Sequence, residues 1–265
     1  MKPRLTVTGA MGRMGKRIIS LAAESGEFDI TGAIERPDHP DIGKQLSALD
    51  ACWPESVSLA STYPGGTDIV IDFSLAEGAN AAIEFCDANS VALVIGTTGL
   101  SAEQQTQLRA TAEKVPVVYA TNMSVGMNVL FSLVGKAAQM LGDDYDIEIV
   151  EQHHRFKKDA PSGSAFTLAE NICKTTGRDF PGCLDMARSG KDAAREKGTI
   201  GMHAVRGGDI TGIHSVIYST LGETVTLNHT AHNRDNFARG ALRAAKWLLG
   251  KPAGLYSMTD VLGLK

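Results

Sequence analysis

The chain lacks any long apolar run: no stretch approaches the roughly 18–20 residues of a membrane-spanning helix, so no membrane partner is expected. It has little cysteine. Cys52, Cys86, Cys173 and Cys183 are scattered, with no Cys-x-x-Cys pair, which points away from a zinc site or a disulfide framework and leaves buried or incidental thiols. It has no excess of positive charge either. Twenty-six Lys plus Arg stand against 30 Asp plus Glu, for a net charge of −4, whereas general nucleic-acid affinity needs a basic surface. No internal repeat or low-complexity segment is visible. The opening residues Met1-Lys2-Pro3-Arg4-Leu5 run directly into a strand-like segment, and a cytoplasmic location is expected. The 265 residues suffice for one large domain or two modest ones, each with its own core.

The first half carries the pattern of a nucleotide-binding domain. Residues 4–8 read as a strand, Gly9-Ala10-Met11-Gly12-Arg13-Met14-Gly15 follows at once, and Met14, Ile18, Leu21 and Ala22 then recur at helical spacing. Glycines in such a turn let the backbone approach a pyrophosphate, which rests on the free N–H groups of the helix that follows. The spacing is Gly-x-x-Gly-x-x-Gly rather than the commoner Gly-x-Gly-x-x-Gly, so three structural glycines at a turn are the competing reading. The next strand, 29–34, ends on Glu35-Arg36, where such domains place the residue that reads the adenosine ribose. An acid accepts from the 2′-OH and an arginine pairs with a 2′-phosphate, so the pair suggests use of both NADH and NADPH. Residues 37–66 read as a loop-rich connection with short helical pieces. Three further apolar runs, 69–71, 92–95 and 117–119, alternate with helical segments near 76–88 and 101–113. The fold class is therefore α/β: a Rossmann-type, doubly wound parallel sheet whose ligands gather at the carboxyl ends of its strands.

A second, smaller α+β domain follows. Ser124 is placed to cap a helix over 125–141, 146–150 alternates as a strand, and 162–164 opens another helix marked by Ala165, Leu168, Ala169 and Ile172. Residues 177–199 are polar and read as a mobile loop. Strands are expected over 199–205, 212–218 and 223–227, and the apolar stripe from Phe237 to Leu249 forms a last helix. That helix and the 253–265 tail are placed to return to the first domain, giving 1–123 with 235–265 as the dinucleotide-binding domain and 124–234 as the second.

Between these elements lies 151–164, where two histidines, an arginine and two lysines run into Pro161-Ser162-Gly163-Ser164. Adjacent histidines suggest a metal, but residues leaving a strand side by side point apart, and nearby lysines repel a cation. A solvated basic loop is a second reading. A site for a small dianion accounts for more of the stretch: Lys157 and His154 as charge partners, with Ser162, Gly163 and Ser164 as a hydrogen-bonding cup. Either His153 or Lys157 is then placed to supply a proton.

These motifs, together with Ala33-Ile34-Glu35-Arg36, Gly96-Thr97-Thr98-Gly99, Asn122-x-Ser124-Val125-Gly126-x-Asn128 and above all Glu151-x-His153-His154-x-x-Lys157-x-Asp159-Ala160-Pro161-Ser162-Gly163, closely resemble the 4-hydroxy-tetrahydrodipicolinate reductase, or dihydrodipicolinate reductase, family over essentially the whole chain. The resemblance implies an enzyme of the diaminopimelate route to lysine that reduces a cyclic, doubly carboxylated imine with NADH or NADPH, and a homotetramer built through the second domain. By position it implies that His153 is the catalytic histidine and Lys157 the proton donor. It implies that His154, Ser162, Gly163 and Ser164 hold substrate carboxylate. Gly9, Ala10, Met11, Gly12, Arg13 and Met14, then Glu35 and Arg36, Gly96, Thr97 and Thr98, and Ala120, Thr121, Asn122 and Met123 match the family's cofactor contacts. No metal is among the implied groups. Ser164 stands where the family more often has threonine, and Phe156 where it often has a third histidine. A non-catalytic nucleotide sensor and a dehydrogenase of another small acid share these fold-level features.

Overall fold

Runs of aliphatic residues that alternate with helices impose a layered α/β arrangement on most of this chain. The structure, a computed structural model, describes residues 1–186 and 188–264. In chain order the elements are β1 (Arg4–Thr8), α1 (Arg13–Ser25), β2 (Asp29–Ile34), α2 (Leu46–Leu49), β3 (Leu59–Ala60), β4 (Ile69–Asp72), α3 (Ala76–Asn89), β5 (Ala92–Ile95), α4 (Ala102–Ala112), β6 (Pro116–Tyr119), α5 (Val125–Leu141), β7 (Asp146–His153), α6 (Gly163–Thr176), β8 (Leu184–Asp185), β9 (Ile200–Arg206), β10 (Gly212–Thr220), β11 (Glu223–Ala231), α7 (Asp235–Leu248), β12 (Gly254–Tyr256) and α8 (Met258–Leu262). They divide into two units, Met1–Val125 with Arg234–Lys265, and Gly126–Asn233.

The first unit is built on a seven-stranded sheet in the order β12-β6-β5-β4-β1-β2-β3, with every pairing parallel. All side chains of β4 and β5 are buried, as a sheet covered on both faces requires. Successive residues divide between two cores: Ile69, Ile71 and Val94 join the cluster under α1 and α7, while Val70, Leu93 and Ile95 join that under α3 and α4. The chain leaves β1 toward β2 and β3, then returns to β4 on the other side of β1. That reversal puts the topological switch point between β1 and β4, and the carboxyl ends of the strands there are the usual ligand position in such sheets. Two strands of this sheet are additions to the sequence reading. β3 lies inside the segment expected to be loop with helical pieces, and β12 in the tail, whose last residue, Lys265, lies outside the described residues.

The second unit has a five-stranded mixed sheet, β11-β10-β7-β9-β8, with α5 and α6 supplying Leu130, Val134, Leu168 and Ile172 to a core shared with Ile147, Ile149, Val216 and Tyr218. The buried Tyr218 hydroxyl donates to the Val134 carbonyl at 2.7 Å. β7 runs three residues beyond the strand expected at 146–150. Its period of two therefore carries Glu151 and His153 onto the same covered face as Ile147 and Ile149. The 177–199 stretch, expected as a mobile loop, contains β8, paired with β9. Arg188 and Arg195 from this stretch both bind the Glu148 carboxylate; Ala187 lies outside the described residues.

Candidate active site

The glycine loop is shaped by backbone proximity. Gly9 has φ +72°, and a Cβ there would sit 2.7 Å from the Phe73 carbonyl oxygen; a Cβ on Gly15 would sit 2.1 Å from the Gly9 oxygen. The first glycine brings the loop against the end of β4, and the last seats α1 on the loop. Gly12 caps α1 with no side-chain acceptor and no acid in the first turn. Gly12 and Arg13 are exposed, so the first amides of the helix are open to an anion. Glu35, at the end of β2, accepts the Met11 amide at 3.1 Å and its carboxylate also takes the Arg36 amide at 3.1 Å. Arg36 is exposed and pairs with Asp38 at 3.4 Å.

The neighbouring strand ends are tied together by Asp72. Its buried carboxylate accepts Thr97 Oγ1 at 2.5 Å and Ser74 Oγ at 2.8 Å. Burial raises its pKa against those hydrogen bonds. Thr97 is itself buried, so its hydroxyl is committed within the protein, whereas Thr98 is exposed. Phe73 fills the space beside Gly96, where a Cβ would meet its ring at 2.3 Å. Ala120 is half-buried, Thr121 exposed, and Asn122 Oδ1 accepts the Ser124 amide at 2.9 Å. Met123 is buried in the core, and its carbonyl packs against Gly240 of α7. The Arg17 guanidinium forks onto Asp235 at 2.7 and 2.9 Å, fastening the start of α7 to α1. Burial and the charge of Arg13 lower the pKa of Arg234. Sequence reasoning gives Arg234 no role, because only helix packing brings it to Arg13.

In the second unit the cationic stretch is organised around Glu151, which is fully buried. One carboxylate oxygen bonds His153 Nδ1 at 2.6 Å and Arg206 Nη1 at 2.8 Å. The other accepts the Ser162 amide at 3.0 Å and Arg206 Nη2 at 2.8 Å. Burial opposes the charge of Glu151, yet these bonds hold its carboxyl below the usual range. Ser162 caps α6 as expected: its Oγ accepts the Ala165 amide and lies 3.2 Å from His214 Nε2. Gly163 is exposed and the position of a Cβ there meets nothing, so the helix start is open beyond the cap.

The rings of His153 and His214 meet edge to face, centroids 5.1 Å apart. Burial lowers the pKa of His153 against the pull of Glu151, with Lys157 and Arg206 lowering it further. Burial takes His214 down to about 4, helped by the charge of His153. Lys157 Nζ is 2.9 Å from Asp159 Oδ1, and Arg206 Nη2 also reaches the Asp159 carbonyl at 2.5 Å. His154 turns elsewhere: its ring lies 6.2 Å from that of exposed Phe156, and its buried Nδ1 has no hydrogen-bond partner. The structure thus joins His153, Lys157 and Ser162 through one network and sets His154 beside it. The sequence motif contains Glu151 but assigns it nothing, and Arg206 and His214 are missed. An alternation running from Ile149 through Glu151 to His153 is the signal for the first; Arg206 and His214 arrive from other strands.

Family models described as "Dihydrodipicolinate reductase, N-terminus" and "Dihydrodipicolinate reductase, C-terminus" match residues 3–123 and 126–262. The chain belongs to the dihydrodipicolinate reductase family. It is 45% identical over 262 residues to the 4-hydroxy-tetrahydrodipicolinate reductase of Syntrophus aciditrophicus, covering 98% of both chains. It is 47% identical over 264 residues to that of an Anaeromyxobacter species, again covering 98% of each. In fold it is similar to the dipicolinate-bound dihydrodipicolinate reductase of Paenisporosarcina sp. TG-14, with TM-score 0.76 and 23% identity over 98% of this chain and 99% of that one. The doubly wound sheet with a second mixed-sheet unit is thus the architecture of a family member. Among the described residues, no helix is long and apolar enough to cross a membrane.

Proposed function

We propose that this chain reduces 4-hydroxy-tetrahydrodipicolinate, through dihydrodipicolinate, to tetrahydrodipicolinate with NADH or NADPH, in the diaminopimelate route to lysine. The observation that carries the reading is the network that gathers His153, Lys157 and Ser162 at the open N-terminus of α6, in a chain that the family models match over residues 3–123 and 126–262.

The first unit fits a dinucleotide. Its α1 amides and glycine loop would hold the pyrophosphate, and Glu35 would exchange backbone amides for ribose hydroxyls. Arg36, held only by an exposed ion pair, would turn to a 2′-phosphate when one is present. Thr97, fixed through Asp72, would act by its backbone, with Gly96, Thr98 and residues 120–123 lining the same strand ends. The bound cofactor supplies a hydride to the conjugated ring. In the second unit the amides of α6 from Gly163 onward, the Ser164 hydroxyl and His154 would bind carboxylate, concentrating positive potential on a dianion. Lys157 would deliver the proton that completes reduction, and His153 would stand beside it as the second catalytic group.

A cytoplasmic homotetramer belongs to the same proposal. One face of the five-stranded sheet is covered by helices, whereas Val150, Gln152, Ile213 and Ile217 on the other are half-buried and Val205 is 44% exposed. A second copy of the chain would cover that face; sedimentation velocity showing a stable monomer at micromolar concentration would refute it. Activity is tested by following NAD(P)H absorbance with freshly prepared substrate in the presence and absence of pyridine-2,6-dicarboxylate. Competitive inhibition against the cyclic substrate is expected. Turnover of another acid that pyridine-2,6-dicarboxylate leaves untouched would assign a different dehydrogenase.

A further inference from the structure

Glu151 has no part in the chemistry proposed above, yet it occupies the centre of the second unit's site. A fully buried carboxylate paired with arginine is seldom kept for stability, because desolvation cancels most of the attraction. Here every acceptor site of the group is used. Each oxygen takes one bond from Arg206 and one from the site: His153 Nδ1 at 2.6 Å on one oxygen and the Ser162 amide at 3.0 Å on the other. The proposed catalytic histidine and the cap of the carboxylate-binding turn are thereby fixed by a single group. Arg206 extends the connection to the loop between them, since it also holds the carbonyl of Asp159, the ion-pair partner of Lys157.

We infer that Glu151, braced by Arg206, is a positioning residue that fixes His153 in its Nδ1–H tautomer and holds it in register with the substrate-binding turn at Ser162. The inference rests on the proposed function. An ionised carboxylate only accepts, so Nδ1 of His153 must donate and, in the neutral ring, Nε2 is left as the unprotonated nitrogen. Nε2 lies 3.2 Å from where a Cβ on Gly212 would stand, so glycine at the start of β10 keeps that nitrogen uncovered. The charged and titratable groups facing His153 are Glu151 on its own strand, Lys157 in the loop, Arg206 from β9 and His214 from β10, with His229 of β11 facing His214 in turn. Glu151 alone among them favours the imidazolium, while burial, Lys157 and Arg206 oppose it.

The test is Glu151→Gln, which keeps the shape but cannot accept at both ends. Its kcat should fall about 10- to 100-fold with the KM for NADH changed less than about twofold. The acidic limb of its kcat/KM profile should move to lower pH. Arg206→Lys, which keeps the charge and loses the fork, should show the same pattern more weakly. A folded Glu151→Gln enzyme with unchanged kcat and pH profile would overturn the inference. So would equal losses in kcat and cofactor affinity, which mark a general structural defect. Long-range nitrogen-15 NMR of the wild-type histidines gives a readout independent of turnover and of any variant's folding. It should find His153 protonated at Nδ1, and an Nε2–H tautomer would refute the assignment. If the wild-type protein oxidises no NAD(P)H, the functional reading fails while this measurement still decides the geometry.

Discussion

Gly15→Ala places a methyl group 2.1 Å from the Gly9 carbonyl oxygen and 2.8 Å from Ala10 Cα, and both neighbours are backbone. Alanine is favoured over glycine inside a helix by about 0.5–1 kcal/mol, so propensity alone would make the change stabilising. The clash decides otherwise, because no side chain can rotate to relieve it. The start of α1 must retreat by about 1.5 Å to restore an ordinary contact, at an overpacking cost of about 1–3 kcal/mol. The same displacement takes the first helix amides out of hydrogen-bonding range of a bound pyrophosphate. Losing one charge-assisted bond, at about 1.5–3 kcal/mol, corresponds to roughly a 10- to 100-fold weaker Kd for NADH. Fluorescence titration with NADH and thermal unfolding measure the two effects, and Tm should fall by about 2–4 °C per kcal/mol lost in a chain of this size. Gly12→Ala, with 3.1 Å to the same oxygen, should be much milder. Unchanged affinity and an unchanged or raised Tm for Gly15→Ala would refute the packing argument.

Lys157→Ala should lower kcat by about 10²- to 10⁴-fold, the usual contribution of a positioned acid, with little change in cofactor affinity; equal losses in steady-state kinetics would contradict the proton-donor assignment. Arg36→Ala should weaken NADPH binding by about tenfold or more while sparing NADH, since only a 2′-phosphate needs the guanidinium; parallel titrations decide it. His214 is held down to about 4, so the unfolded chain takes up a proton in mild acid that the folded chain refuses. Its contribution to stability, on the order of 3 kcal/mol, is therefore complete above about pH 6.5, falls with pH and is gone by about pH 4. Urea midpoints near neutrality and near pH 5 should differ by more in the wild type than in His214→Phe.

The family fold was legible wherever the signal was local. The sequence places β1, the Gly9 turn and α1 in consecutive positions, and Ser162 caps α6 through its own Ala165 amide. Elements of two or three residues, such as β3 and β12, are too short to show a period. β7 reads as ending at Val150 because the next covered positions carry Glu151 and His153, polar residues that a pattern of burial argues against. Partners 55 residues apart, as Glu151 and Arg206 are, leave no local trace. The 177–199 stretch reads as mobile from its composition, while Arg188 and Arg195 find Glu148 across 40 and 47 residues.

The most direct measurement is the oxidation of NADH or NADPH by the purified, folded wild-type protein supplied with freshly made 4-hydroxy-tetrahydrodipicolinate. Cofactor consumption should follow added substrate one for one, with tetrahydrodipicolinate as the product. No consumption above background with either cofactor would contradict the account.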